Sequence, residues 1–220
     1  MALTPEPPTV LEIDTPHGPA RAHLHAAAAP GAALVLGHGA GGGVGAPDLL
    51  AATDGALAVG VSVALVEQPY RVAGRRSAAP APQLDTAWTA IVAALAGGPL
   101  AGLPLVTGGR SSGARVACRT ALATGAVGVV CLAFPLVPPQ RRDATGPPKT
   151  RQDELDGAGV PVLVVQGEND RFGMPEPARD RTVVRVRGDH RLASDRAAVR
   201  TSVGEWVGAV AAATTVRRMA

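Results

Sequence analysis

Leu103-Pro104-Leu105-Val106-Thr107-Gly108-Gly109-Arg110-Ser111-Ser112-Gly113-Ala114-Arg115 decides how this chain is read. An apolar run, Leu103 to Thr107, stops at glycine, a serine follows with glycine two residues before and two after, and helix-like sequence comes next. A strand that turns this sharply into a helix presents the serine hydroxyl at the tip of an elbow. It also brings neighbouring backbone so close that the flanking positions must lack side chains. Of the six serines in the chain only Ser111 has these surroundings. Glycine is common here, 27 of 220 residues, so the pattern gains its weight from what lies downstream.

Outward from the elbow, short β-type runs alternate with longer Ala-rich segments. This is the pattern of βαβ units around a parallel sheet covered on both faces. The expected strands are Val10–Ile13, Ala20–His25, Ala32–Gly37, Ser62–Glu67, Leu103–Thr107, Gly128–Ala133, Pro161–Gly167 and Thr182–Val186. The first two, joined through Pro16-His17-Gly18, read as an antiparallel hairpin at the sheet edge. Helices are expected over Pro47–Ala58, Gln83–Ala96, Ser112–Ala123, Pro175–Asp180 and Ser194–Ala212, with Ser194 as a plain N-cap. The fold class is therefore α/β, a mostly parallel central sheet of about seven or eight strands with helices on both faces. Phe134–Gly159 holds five prolines and reads as a surface excursion over the site, too short for a large cap domain.

Composition narrows the function classes. With 46% apolar residues the 220-residue chain can bury a sizeable core, and residues 1–220 read as one domain. The net charge is +3, but 20 of the 21 basic residues are scattered arginines and aromatics make up only 2%. Neither a basic stripe nor a stacking platform exists, so nucleic acid is not an expected partner. Cys118 and Cys131 read as small buried hydrophobes, so neither a disulfide framework nor a metal is expected, and no cofactor. Met1–Pro8 lacks a signal-like pattern and no apolar stretch approaches a membrane span, so the expected protein is soluble, cytoplasmic and independent of membranes.

A serine hydroxyl is a weak nucleophile at neutral pH, so Ser111 needs a base within reach and an acid to orient that base. Of five histidines, His17 lies in a turn, His23 and His25 on an edge strand, and His38 in a glycine-rich loop. His190, in Gly188-Asp189-His190, directly follows the last strand and is the candidate base. The apolar run Val162–Gly167 leads into Glu168-Asn169-Asp170, where Asp170 is preferred over Glu168 as the acid. Serine, then aspartate, then histidine is one of three known orders of this constellation, and it differs from the chymotrypsin and subtilisin orders. Negative charge forming on an attacked carbonyl oxygen needs backbone N–H donors. Ser112 at the helix start supplies one, and Ala40, with Gly41 next in preference, supplies the other from Gly37-His38-Gly39-Ala40-Gly41-Gly42-Gly43. His38 suits a structural hydrogen-bonding role better than that of a base, and His38, Tyr70 and Arg110 are the candidate substrate contacts.

The same glycine loop matches the G-x-G-x-x-G of a dinucleotide site, with Glu67 placed as a ribose-binding acid. That reading requires the third glycine to sit inside a helix, whereas here glycine continues to Gly45 and Pro47 is the earliest helix start. It also leaves Ser111, Asp170 and His190 unexplained.

Six pieces together resemble the α/β-hydrolase superfamily: Gly37-His38-Gly39-Ala40-Gly41-Gly42, Glu67-Gln68-Pro69-Tyr70, Gly108 to Arg115, Cys131 to Leu136 with Pro138-Pro139, Val165-Gln166-Gly167 with Asp170, and Gly188-Asp189-His190. More narrowly, the chain resembles the small lidless dienelactone-hydrolase-like group that includes the hydrolase-like domain of testis-expressed protein thirty and of an NSL chromatin-complex subunit. The resemblance spans residues from about 32 to 195. The chain departs from the pattern at Ser112, Ala114 and Arg191-Leu192, which alters the shape of the acyl pocket and none of the three side chains. It implies an α/β-hydrolase fold and a serine hydrolase acting on a small-molecule or carrier-bound ester or thioester. Acyl transfer by the same residues and a non-catalytic interaction domain are the alternatives.

Overall fold

Ala32–Gly37 (β3) is buried at every position, its side chains alternating between two apolar layers, so it can only be a central strand. The computed structural model describes residues 7–138 and 149–219. In chain order the remaining elements are β1 (Thr9–Ile13), β2 (Ala20–His25), α1 (Pro47–Ala58), β4 (Val61–Glu67), α2 (Pro69–Val72), α3 (Ala81–Gly97), β5 (Leu105–Arg110), α4 (Ser112–Thr120), β6 (Gly128–Leu132), α5 (Gln152–Asp156), β7 (Val162–Gly167), β8 (Arg181–Val186) and α6 (Arg196–Met219). The eight strands form one sheet in the order β1-β2-β4-β3-β5-β6-β7-β8. β1 and β2 are antiparallel to their neighbours, and the rest run parallel. This is the α/β-hydrolase fold, without a large cap domain among the described residues.

Alternation sorts the core. Leu34 and Leu36 of β3 face one layer with α1 and α6, whereas Ala33 and Val35 face Trp88, Ile91 and Leu95 of α3. α4 packs on the α3 side over β6 and β7 through Ala114, Ala117, Cys118 and Ala121. α1 and α6 cross at Gly55 and Gly204, where a Cβ on Gly204 would lie 2.7 Å from the Gly55 carbonyl oxygen. Only glycine permits that approach.

Parallel registers bring the ends of β3 and β5 together, with Gly37 opposite Gly109. The loops after β3, β5, β7 and β8 therefore open at one carboxyl edge. Ligand sites in open α/β sheets form at this edge.

Several expectations are corrected. β5 does not stop at Thr107 but runs through both glycines to Arg110, because the parallel ladder to β6 holds Gly109 opposite Cys131. Pro175–Asp180 is not helical. Pro177 has no N–H to give and pushes Glu176 out of the α region, and Arg181 Nε instead donates to the Glu176 carbonyl. The cap of α6 is Asp195 and not Ser194. The Ala198 N–H donates to Asp195 Oδ1, while Ser194 packs against Gly188. The expected surface excursion starts in the core, since Phe134 and Pro135 are buried. It ends in α5, a helix not expected from sequence, whose Leu155 docks under α4. Residues 139–148, the middle of that expectation, lie outside the described residues.

Candidate active site

Ser111 takes φ 51° and ψ −108°, a left-handed conformation strained for any residue with a Cβ. Two features hold it there. Its N–H donates to the Leu132 carbonyl of β6 at 2.9 Å, and α4 begins at the next residue. The glycines around it are required by space. A Cβ on Gly109 would lie 2.5 Å from the Gly37 carbonyl oxygen, and one on Gly113 would collide with the same oxygen. The elbow is thus wedged against the end of β3.

Asp170 and His190, both singled out from sequence, meet Ser111 here. The Ser111 hydroxyl lies 3.0 Å from His190 Nε2, and Nδ1 of the same ring lies 2.8 Å from Asp170 Oδ2. A carboxylate only accepts, so Nδ1 carries the proton and donates to Asp170, leaving Nε2 bare to accept from Ser111. The Asp170 side chain has no exposed surface and His190 keeps 18%. Glu168, the competing acid, is exposed. The approach of the two loops is again set by a glycine: a Cβ on Gly167 would lie 2.5 Å from the Asp189 carbonyl oxygen.

Around Asp170 stand two residues that sequence reading did not single out. The Phe172 N–H donates to Oδ1 at 2.9 Å, and the Phe172 ring meets the His190 ring edge to face at 4.5 Å between centroids. Gln166 donates from Nε2 to Asp170 Oδ2 at 2.9 Å and also to the Phe134 and Gly173 carbonyls. Gln166 is fully buried. A single amide side chain in the apolar run Val162–Gly167 was its one signal in the sequence.

The loop after β3 lies against the elbow, since a Cβ on Gly39 would stand 3.6 Å from Ser111 Cβ. Its carbonyls are anchored away from the cleft. His38 donates from Nδ1 to the Gly39 carbonyl at 2.8 Å, and Tyr70 donates from its hydroxyl to the Ala40 carbonyl at 3.0 Å. In trans peptides the N–H points opposite the preceding carbonyl, so the Ala40 and Gly41 amides face the other way. Neither amide, nor that of Ser112, has an acceptor among the described residues.

His38 is buried and accepts from the Gln68 N–H on Nε2 at 3.2 Å, so both ring nitrogens are occupied by backbone. Burial lowers its pKa from the usual imidazole value, outweighing the Gly39 hydrogen bond. His38 thus sits beneath the loop, its ring held between the Gly39 carbonyl and the Gln68 N–H. Tyr70 is likewise buried, and burial raises its phenol pKa. Arg110, the other candidate contact, pairs with Asp48 at 2.7 Å and donates from Nη2 to the His190 carbonyl at 3.0 Å. Glu67, the acid of the dinucleotide reading, lies 3.1 Å from His23 on the neighbouring strand.

Residues 30–216 match the family model of the alpha/beta hydrolase domain. The chain belongs to the α/β-hydrolase family. No curated protein matches this α/β-hydrolase in sequence. Solved structures match it in fold at low identity. XC6422 from Xanthomonas campestris, described as an α/β serine hydrolase without lid, superposes with a TM-score of 0.68 at 19% identity, covering 94% of this chain and 98% of its own. Est1E from Butyrivibrio proteoclasticus gives 0.72 at 15% identity over 92% and 99% of the two chains. A dienelactone hydrolase from Anabaena variabilis gives 0.68 at 15% identity over 91% and 97%. Among the described residues no helix is long and apolar enough to cross a membrane.

Proposed function

We propose that this α/β-hydrolase is a serine hydrolase of carboxylic esters or thioesters that works through an acyl-enzyme. The observation that carries the reading is the unbroken hydrogen-bond chain from Ser111 Oγ through the His190 ring to Asp170. Ser111 Oγ attacks the acyl carbon while its proton passes to His190 Nε2, and the carbonyl π pair moves onto oxygen. The Ala40 and Ser112 amides, with Gly41 beside them, are free to receive that oxyanion, and the N-terminus of α4 adds favourable potential. Collapse of the tetrahedral species expels the alcohol or thiol, which takes the proton from His190. Water then attacks the acyl-enzyme by the same route in reverse, releasing the acid. Asp170 holds the imidazole in the tautomer these steps need.

Without a large cap among the described residues, the cleft favours short or medium acyl groups, or an acyl group carried on a larger partner. Narrower kinship with the lidless dienelactone-hydrolase-like group is part of the same reading. The test is labelling with a fluorophosphonate, which traps an activated serine. The native protein labels and Ser111→Ala does not. If the native protein never labels, the non-catalytic interaction reading replaces this one. Faster turnover of long-chain than of short-chain nitrophenyl esters removes the substrate preference. Because the serine proton must pass to His190, His190→Ala should lose turnover with the fold intact, and retained turnover removes His190 as the base.

A further inference from the structure

One charged pair beside the site has no part in the chemistry above. Asp48, in the first turn of α1, has no exposed side-chain surface, and its one ion pair among the described residues is with Arg110. The 2.7 Å contact is ionic, with the Nε–H not aligned on Oδ2. Burial raises the Asp48 pKa against the opposing charge of Arg110. Buried pairs of this kind contribute little net stability, because desolvation offsets the attraction. The pair is better explained by what its other atoms hold. Nη2 donates to the backbone carbonyl of His190 at 3.0 Å, and Nη1 lies so near Gly39 that a Cβ there would stand 2.9 Å away. A rigid guanidinium with donors on several edges thus touches α1, the amide-bearing loop and the histidine loop at once.

We propose that Arg110, anchored on the buried Asp48, is the positioning residue that holds the His190 loop against the nucleophile elbow. The inference rests on the roles of Ser111 and His190 given above. It replaces the idea that Arg110 binds a substrate anion, because its Nε and Nη2 are already engaged by the protein. The histidine loop also needs an outside hold. Leu192, two residues after His190, sits at φ 52°, a conformation costly for a residue with a Cβ and kept only where surrounding contacts hold it. A donor on the carbonyl of His190 itself fixes the backbone from which the ring reaches Ser111.

Three variants test this in the full chain: Arg110→Met, Arg110→Lys and Asp48→Asn. On a nitrophenyl ester kcat falls about 100-fold in Arg110→Met and about tenfold in Asp48→Asn, the scale of a misplacement near 1 Å, with KM unchanged. The loss is equal for neutral and anionic esters. Arg110→Lys recovers only part, since an ammonium lacks the fork. Tm of Asp48→Asn falls, because the Arg110 guanidinium is left without its buried counter-charge. A readout without substrate is the far-downfield proton resonance of the His190 Nδ1–H, sharp in the native protein and broadened in Arg110→Met. Variants that lower Tm but leave kcat and the resonance intact overturn the proposal, as does a KM rise confined to anionic esters. If no ester is turned over and no label attaches, the serine-hydrolase reading fails, and the resonance still decides whether Arg110 holds the ring.

Discussion

Ser111 pays for its exposure with a backbone angle that glycine would adopt freely. Ser111→Gly should therefore unfold at higher denaturant than Ser111→Ala, by about 1 kcal/mol, while both lack activity; equal midpoints in urea remove the strain argument. Asp170→Asn keeps the shape but lets the side-chain amide face Nδ1, which reverses the ring tautomer. Turnover should drop about 10⁴-fold with the fold unchanged by circular dichroism, and retained turnover denies Asp170 its role. Ser111, Asp170 and His190 were legible because each sits in a local pattern: a glycine-flanked turn, a carboxylate after an apolar strand, a histidine after the last strand. Gln166 and Phe172 were not. Nothing in Val165-Gln166-Gly167 says that the amide turns to Asp170, or in Arg171-Phe172-Gly173 that the ring covers His190.

At the scale of elements, the site depends on how closely β3, β5 and α4 approach. Gly113→Ala drives a methyl into the Gly37 carbonyl, so α4 must shift and carry the elbow with it. Stability should fall by about 1–3 kcal/mol, read by urea unfolding, together with fluorophosphonate labelling; normal labelling contradicts the wedge. Away from the site, Gly55→Val at the α1–α6 crossing should cost a similar amount, about 1–3 kcal/mol, while labelling of the folded fraction persists. α5 was missed because a single turn has no periodicity to read. What holds it is Glu154 with Arg115 at 2.6 Å and Arg119 at 3.1 Å on α4, and Leu155 in the core. Burial alone would raise the pKa of the Glu154 carboxyl, but the two arginines outweigh it and bring the value below normal.

Across the whole molecule, two buried or half-buried histidines link folding to pH. Burial is the first cause that lowers the pKa of both His38 and His25 from the ordinary value of 6.5. The unfolded chain then binds protons that the native state resists. This part of the stability is complete above about pH 6.5 and is lost as pH falls toward the lower native values. Urea midpoints should drop between about pH 7.5 and 5.5, less steeply in His38→Asn, and parallel slopes would clear His38 of the effect. The sequence by itself determined the strand and helix alternation, the eight strands to within a few residues, and three side chains due at one sheet edge. These follow from local periodicity, glycine spacing and chain order, which need no distant partner. Only the tertiary structure decided that Phe134 turns inward, that His38 and Tyr70 grip the carbonyls of the β3 loop, and that Arg110 faces Asp48 and the His190 backbone. Each of those depends on which remote segment the sheet order brings alongside, and a guanidinium or a hydroxyl pairs equally well with whatever acceptor arrives.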